Sequence, residues 1–203
     1  MKNFEDEYYL LIDTPSRESF LELVGIKGAG ARFYETDQLD YGDGPIFLAN
    51  AFKEDMPFTL SNVQMDAGKP VVSKEIASAI EDYNIDGFQL FPAIIVGDDG
   101  EWHEDFYYCN VYDTLDCLDF EKSEVPYFKP KPGCKQRVVK YKLRADVLES
   151  IEEEKRLIFR LDKVYTPSLL VHKKIVDRLE PFNIEAFTFY KLSEYELGMQ
   201  YKS

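Results

Sequence analysis

The chain has no long apolar segment. None of its 203 residues lies in a run approaching the roughly 20 apolar residues that a membrane-spanning helix needs. The N-terminal residues also lack the basic start and apolar centre of a secretory signal peptide. We therefore expect a cytoplasmic protein that does not bind membranes.

Cysteine and histidine are scarce, with three and two residues. Cys109, Cys117 and Cys134 cannot all pair within one chain and show no CxxC spacing, so neither a disulfide scaffold nor a structural zinc site is expected. No HExxH or GxSxG motif is present, and His103 and His172 lie far apart in the sequence. We expect His172 to lie at the surface or to cap a helix, and Cys109 to be a buried, unreactive thiol.

Positive charge is also in deficit. The chain has 24 Lys and Arg against 38 Asp and Glu, which gives a formal net charge of −14. A negative field of this kind repels nucleic acids and anionic lipids and attracts basic proteins. Nucleic-acid binding is therefore not expected, whereas a basic protein partner is. The alternative is that the acidity only keeps the protein soluble.

The chain does contain an internal repeat. Residues 72–91 and 171–190 align without a gap at an offset of 99, and seven of the twenty positions are identical. Average composition gives about one identity by chance at a fixed offset. Almost every matched residue is of a core or helix-capping type, so the repeat indicates a duplicated way of folding and no duplicated chemistry. The identical pairs are Val72/Val171, Lys74/Lys173, Ile76/Ile175, Glu81/Glu180, Asn84/Asn183, Ile85/Ile184 and Phe88/Phe187.

Apolar periodicity predicts the secondary structure. Strands are predicted over residues 8–12, 46–49, 85–96, 102–112, 137–143, 157–161 and from 187 onward. Helices are predicted over 16–24, between Ser73 and Asn84, and between His172 and Pro181, whereas 147–155 is a helical turn or a loop. Asn84 and Asn183 are expected in the left-handed conformation that ends many helices. The glycines of residues 25–30 lack the complete spacing of a phosphate-binding loop.

These elements predict an α+β fold. We expect a mostly antiparallel sheet with two equivalent helices from a diverged internal duplication. Residues 1–44 are expected to form an N-terminal extension of one strand and one helix, and residues 45–203 one domain. Its two repeat-related halves cover about residues 60–125 and 134–192, joined by a proline-rich loop. Whether the halves share one continuous sheet stays open.

Two groups of carboxylates are dense enough to consider as sites. Asp113, Asp116, Asp119 and Glu121 offer oxygen ligands for Ca²⁺ or Mg²⁺, but they lack the spacing of an EF-hand loop, and a solvated loop is the alternative. The second group surrounds a predicted hairpin tip at Gly97–Gly100. An aromatic anchor rimmed by negative charge is typical of a protein-binding patch. The alternative is a solvated turn with a tryptophan in the core. The patch consists of Asp98, Asp99, Glu101, Trp102, Glu104 and Asp105.

Four passages together resemble immunity protein family eleven of bacterial polymorphic toxin systems, formerly a domain of unknown function. They are Val71–Ser73 with its helix and Gly87-Phe88, then 107–111, 115–123, and 157–161 with the second helix. The resemblance covers about residues 45 to 190, so the domain at 45–203 is immunity-like. The chain departs from the family pattern at Ala186, where Gly is common, and at His172, where a small capping residue is usual.

The resemblance implies a cytoplasmic antitoxin encoded beside a secreted or contact-delivered toxin. Such a protein acts by tight stoichiometric binding, without turnover and without a cofactor. Toxins of these systems are often nucleases with basic active sites, which an acidic inhibitor suits. Two alternatives stay open. One is a small metal-dependent hydrolase that uses the Asp113–Glu121 cluster, and the other is a non-catalytic scaffold module built on the aromatic strands.

Overall fold

The computed structural model describes residues 2–15, 20–26, 37–126, 137–164 and 169–201. They form a mixed α+β fold that is mostly sheet. The strands are β1 (Tyr8–Asp13), β2 (Leu23–Gly25), β3 (Ile46–Asn50), β4 (Val63–Asp66), β5 (Lys69–Ser73), β6 (Phe88–Val96), β7 (Trp102–Val111), β8 (Thr114–Leu115), β9 (Ile158–Leu161), β10 (Leu169–His172) and β11 (Phe187–Lys191). The α-helices are α1 (Lys74–Ile80), α2 (Ala145–Glu149) and α3 (Lys173–Leu179). Short 3-10 turns cover Phe4–Asp6, Tyr41–Asp43, Glu153–Arg156, Glu180–Phe182 and Met199–Tyr201.

The strands form two sheets. The first sheet has the order β2-β3-β6-β7-β5-β4, and the second has the order β11-β1-β10-β9-β8. Among the described strands the pairings are antiparallel except β3 with β6 and β8 with β9. The two halves therefore do not share one continuous sheet. No helix in the described ranges has the length and apolar composition to cross a membrane.

The two repeat copies occupy equivalent places in the two sheets. The bounds of α1 and α3 differ by the same 99 residues that separate the copies. In the first sheet β7 lies between β5 and β6, and in the second sheet β1 lies between β10 and β11. The registers also correspond, because β7 and β1 each set a tyrosine, Tyr107 and Tyr9, opposite the equivalent valines Val72 and Val171. The N-terminal strand thus fills the place that β7 fills in the first half. A common origin of the halves by duplication stays a prediction.

The equivalent helices pack against each other in one shared core. Ile76 of α1 and Ile175 of α3 are both buried in the same apolar cluster, with Val72, Val171 and many of their neighbours. Equivalent positions even meet directly: Nε of Arg178 donates a hydrogen bond of 3.0 Å to the carbonyl oxygen of Ala79. A small apolar cavity of about 30 Å³ lies between the helices and the sheets. Matched apolar residues of the repeat therefore contribute to the contact between the halves.

The ends of the two helices differ. The α3 helix begins after His172, whose ring Nδ1 accepts the N–H of Lys174 at 3.2 Å and so satisfies one free donor of the first turn. Behind α3, Asn183 has the predicted left-handed conformation, with φ of 47°. Asn84 is not left-handed, so that prediction is wrong for the first copy. There the chain uses Gly87, with φ of +69°, to turn into β6.

Two other predictions of secondary structure are wrong. The helix expected over 16–24 is not present in its described part, because Leu23–Gly25 form β2 and pair with β3. Leu21 and Leu23 are buried and Val24 is exposed, which is the alternation of a strand. The strand expected over 137–143 is replaced by isolated bridges at Lys140 and Leu143. Residues 16–19 and most of the proline-rich loop, 127–133, lie outside the described residues.

Candidate binding surface

The hairpin between β6 and β7 is a tight turn fixed by its own backbone. The N–H of Gly97 donates to the carbonyl of Glu101 at 2.8 Å, and the N–H of Gly100 donates to the carbonyl of Gly97 at 2.9 Å. Gly100 has φ of +89°, a conformation that favours glycine. The Asp99 carboxylate accepts the N–H of Glu101 at 3.0 Å, and Lys53 donates to the carbonyl of Asp98 at 2.9 Å. The tip is therefore held by bonds within the turn and by one bond from Lys53.

A bulge lies just after the turn. His103 pairs with Ile95 and Phe106 pairs with Ala93, so Glu104 and Asp105 together stand opposite a single residue, Ile94. Asp105 has φ of 63°, which is uncommon for a residue other than glycine. A bulge of this kind bends the strand and redirects its side chains. It places two neighbouring carboxylates at the surface, and only Asp105 has an ion-pair partner among the described residues, Lys74 at 3.4 Å.

Trp102 lies at the surface. Its side chain is 60% exposed, so the alternative of a tryptophan in the core is wrong. Four residues stand in register across β2, β3, β6 and β7 and so share one face of the first sheet: Val24, Ala49, Val96 and Trp102. The Phe47 ring, two residues from Ala49 on the same face, packs edge-on against the indole with ring centroids 5.3 Å apart. We call these five residues the Trp102 surface.

Carboxylates flank Trp102 along the hairpin. Asp99, Glu101 and Glu104 are exposed and form no ion pair among the described residues, whereas Asp98 is half-buried. The structure therefore brings the six residues of the sequence-predicted patch to one hairpin. The combination of an exposed aromatic ring, an apolar row and free negative charge is suited to binding a protein.

Sequence reasoning did not identify the other members of this surface. Val24 lies in a segment predicted to be helical. The strand predicted over residues 46–49 contains Phe47 and Ala49, but the prediction does not say which face of the sheet their side chains occupy. The alternation in β3 carried the signal, because Ile46 and Leu48 are fully buried whereas Phe47 and Ala49 are half-buried. The sequence alone does not reveal the strand register that aligns β2 and β3 with Trp102.

Three of the four carboxylates of the Asp113–Glu121 cluster are already bonded to other groups. Asp116 pairs with Lys163 at 2.6 Å. Asp119 pairs with Lys122 at 2.7 Å, and this hydrogen bond lowers the pKa of Asp119. Asp113 accepts the N–H of Thr114 at 2.7 Å. Within the described ranges these carboxylates do not converge on one point that could hold an ion.

Three other potential ligand residues do converge: Glu7, Glu153 and His172 lie with ligand atoms within 4.8 Å of one another. Their chemistry is that of an ion-pair cluster. The Nδ1 atom of His172 accepts a backbone N–H, which leaves the proton of the neutral ring on Nε2, so Nε2 has no lone pair for a metal. Lys174 bonds Glu153 at 2.7 Å and lowers the pKa of Glu153 to about 2, and Lys2 bonds Glu7 at 2.9 Å.

The described cysteines are buried. Burial raises the pKa of Cys109 and of Cys117 to about 12, so both remain thiols at neutral pH. Cys109 was predicted to be a buried, unreactive thiol, and its burial confirms the first part of that prediction. Cys134 lies outside the described residues. Neither described thiol could act as a nucleophile without a local opening of the core.

The comparison with known families agrees with a binding role. Residues 2–194 match the model of a family described as Immunity protein family (Imm11). The match begins well before residue 45 and includes β1, the strand that completes the second sheet. No curated protein sequence matches the chain.

Proposed function

The chain belongs to the Immunity protein family (Imm11), and from this premise we propose that it protects its own cell by binding and neutralising one cognate toxin. The family match over residues 2–194 is the observation that carries the proposal. The resemblance inferred from sequence is thereby confirmed. An immunity protein needs a stable surface for one partner, and the Trp102 surface with its carboxylates supplies such a surface.

The charge of the chain supports a basic partner. The formal net charge is −14, and three carboxylates beside Trp102 form no ion pair among the described residues. Opposite charge on the toxin would raise the rate of association, and a buried aromatic anchor would slow dissociation. We therefore propose a toxin with a basic active site, such as a nuclease, that is encoded beside this chain and is met in the cytoplasm.

Co-expression tests the function. The toxin domain of the adjacent gene is expressed from an inducible promoter, with and without this chain. We expect cells to survive only when this chain is present, and the two purified proteins to form a 1:1 complex. Killing that continues at full expression of a folded chain would refute the proposed function.

Charge reversal tests the contact surface. The triple variant Glu101→Lys, Glu104→Lys, Asp105→Lys should lower the affinity for the toxin at least tenfold, chiefly through slower association. The matched control reverses three exposed carboxylates elsewhere, Glu75→Lys, Glu81→Lys and Asp82→Lys, and so makes the same change in net charge. We expect this control to retain protection. Equal effects of the two triple variants would show that net charge matters and that the hairpin does not.

The Trp102→Ala variant separates the aromatic anchor from the charges. An aromatic hot spot contributes about 2 kcal/mol or more to binding, which corresponds to about 30-fold in affinity. Because the ring is exposed, the variant should unfold within a few degrees of the wild type. Tyr201→Ala removes a similarly exposed ring far along the chain and serves as the control. An unchanged affinity of Trp102→Ala would remove this surface from the proposal.

A further inference from the structure

The strand β11 forms an open edge of the second sheet. In the described part of the chain it pairs only with β1. The N–H of Leu192 donates to the carbonyl of Tyr8, and the N–H of Thr14 donates to the carbonyl of Ala186. Since backbone direction alternates along an antiparallel strand, the residues with even numbers bond to β1. The N–H and C=O groups of Phe187 and Phe189 therefore point outward, and they have no hydrogen-bond partner among the described residues.

The equivalent edge in the first half of the protein is partly covered. The equivalent strand is β6, where the outward carbonyl of Leu90 and the side chain of Gln89 both bond to a preceding segment of chain. The Gln89 side chain bonds both the N–H and the C=O of Leu39, at 3.0 and 2.9 Å. The hydroxyl of Tyr41 donates to the carbonyl of Leu90 at 3.3 Å, and β3 then pairs with the end of β6. The edge of β6 is thus partly covered, at Leu90 by Tyr41 and at Ala93–Val96 by β3, whereas β11 pairs only with β1 among the described residues.

A cleft of about 460 Å³ lies beside the open edge. Val176 and Leu179 of α3 and the rings of Phe187, Phe189 and Tyr9 form its apolar part. The charged residues that line it are both acidic. Asp177 is paired with Lys173, whereas Glu180 has no ion-pair partner among the described residues. An extended segment paired to β11 would place alternate side chains over this cleft.

We propose that β11 accepts an extended segment of the toxin as an added strand. This proposal rests on the proposed function and adds a second contact with the toxin to that at the Trp102 surface. The segment would carry an apolar side chain that fills the cleft and a basic residue that meets Glu180. Backbone hydrogen bonds from Phe187 and Phe189 would hold the segment, in the way that strand addition binds peptides at open sheet edges. A second copy of this chain fits less well, because it would bring another net charge of −14 and the same acidic rim.

Amide hydrogen exchange read by NMR tests the added strand. The probe is the purified, catalytically inactive toxin domain encoded by the adjacent gene. In the free protein we expect the amides of Phe187 and Phe189 to exchange faster than those of Thr188 and Tyr190, which bond to β1. In the complex the first two should slow at least tenfold while the other two change little. A complex that forms and protects cells without this slowing would overturn the added strand and leave the proposed function standing.

A pair of variants provides a second measurement. Phe189→Ala and Phe189→Pro both remove the ring, but only the proline also removes the outward N–H and blocks an approaching strand. Both keep the bonds to β1, so we expect their melting temperatures to be similar. Phe189→Pro should bind the toxin at least tenfold more weakly than Phe189→Ala, and equal affinities would overturn the proposal. A second copy of the chain would be assigned to this edge by a different result. In the toxin-free protein, the amides of Phe187 and Phe189 would become more protected from exchange as the protein concentration rises, and light scattering would show a dimer.

Discussion

The shared core predicts that a cavity made in one half will destabilise the other half. Ile76 and Ile175 stand at equivalent positions on α1 and α3, and each is at most 1% exposed. The variant Ile175→Ala removes three carbons from the second half alone. The first half contains the only tryptophan of the chain, Trp102, whose indole contacts Phe47. Its fluorescence therefore reports on the half that the substitution leaves intact.

The magnitude follows from the burial of Ile175. Loss of three buried carbon groups costs about 2.4 kcal/mol in transfer free energy. The space left by the missing carbons adds to this cost. Because Ile175 already lines a cavity, the surrounding side chains cannot fully fill the enlarged space. We expect a total loss of about 3 to 4 kcal/mol in the free energy of unfolding. For a chain of this length that corresponds to a fall of about 6 to 16 °C in melting temperature.

The assay is urea unfolding followed by Trp102 fluorescence and by far-ultraviolet circular dichroism. If the halves fold as one unit, both signals should report a single unfolding transition. Ile175→Ala and Ile76→Ala should then each lower the urea concentration at the midpoint equally in the two signals. Val176→Ala changes a half-buried neighbour on the same helix and should cost less. Should Ile175→Ala leave the fluorescence transition at the wild-type urea concentration, the two halves would be independent, and the shared core would not couple them.

Two further predictions concern stability. Burial lowers the pKa of His172 below its ordinary value of 6.5, so the unfolded chain takes up the proton more readily. Stability should therefore be complete above about pH 6.5 and fall as the pH drops below it. His172→Asn, which keeps a helix cap, should flatten that dependence in denaturation curves from pH 7.5 to 5.5; an unchanged slope would contradict the assignment. Gly87→Ala should cost about 2 kcal/mol or more, because φ is +69° and the added carbon would lie 2.4 Å from the Cβ of Asp113. Gly100→Ala, with φ of +89° but open space, should cost only about 1 kcal/mol by the same assay.

The sequence predicted the elements that are defined by local pattern. The repeat placed the start of α3 correctly after His172, although Pro167 alone would have favoured an earlier start, and it also indicated the left-handed Asn183. The hairpin at Gly97–Gly100 followed from its turn residues. These features depend on neighbouring residues and on a period of 2.0 or 3.6, which a single sequence displays.

The sequence could not predict the features that depend on distant pairing. Val24 belongs to a strand because β3 provides a partner for it, and its own spacing fits a short helix equally well. The place of β1 between β10 and β11 depends on residues more than 150 positions away. The exposure of Trp102 depends on register across four strands. In each case tertiary contacts override or complete the local preference.

The position of β1 also bears on when the protein can complete its fold during synthesis. Tyr8 is made some 164 residues before its partner His172. At translation rates of about 5 to 20 residues per second, β1 waits roughly 8 to 33 s for β10 to emerge. The second sheet therefore cannot form before β10 and β11 have left the ribosome. A nascent chain that has not reached β11 has no complete second sheet, so it is not yet competent for any contact at that strand.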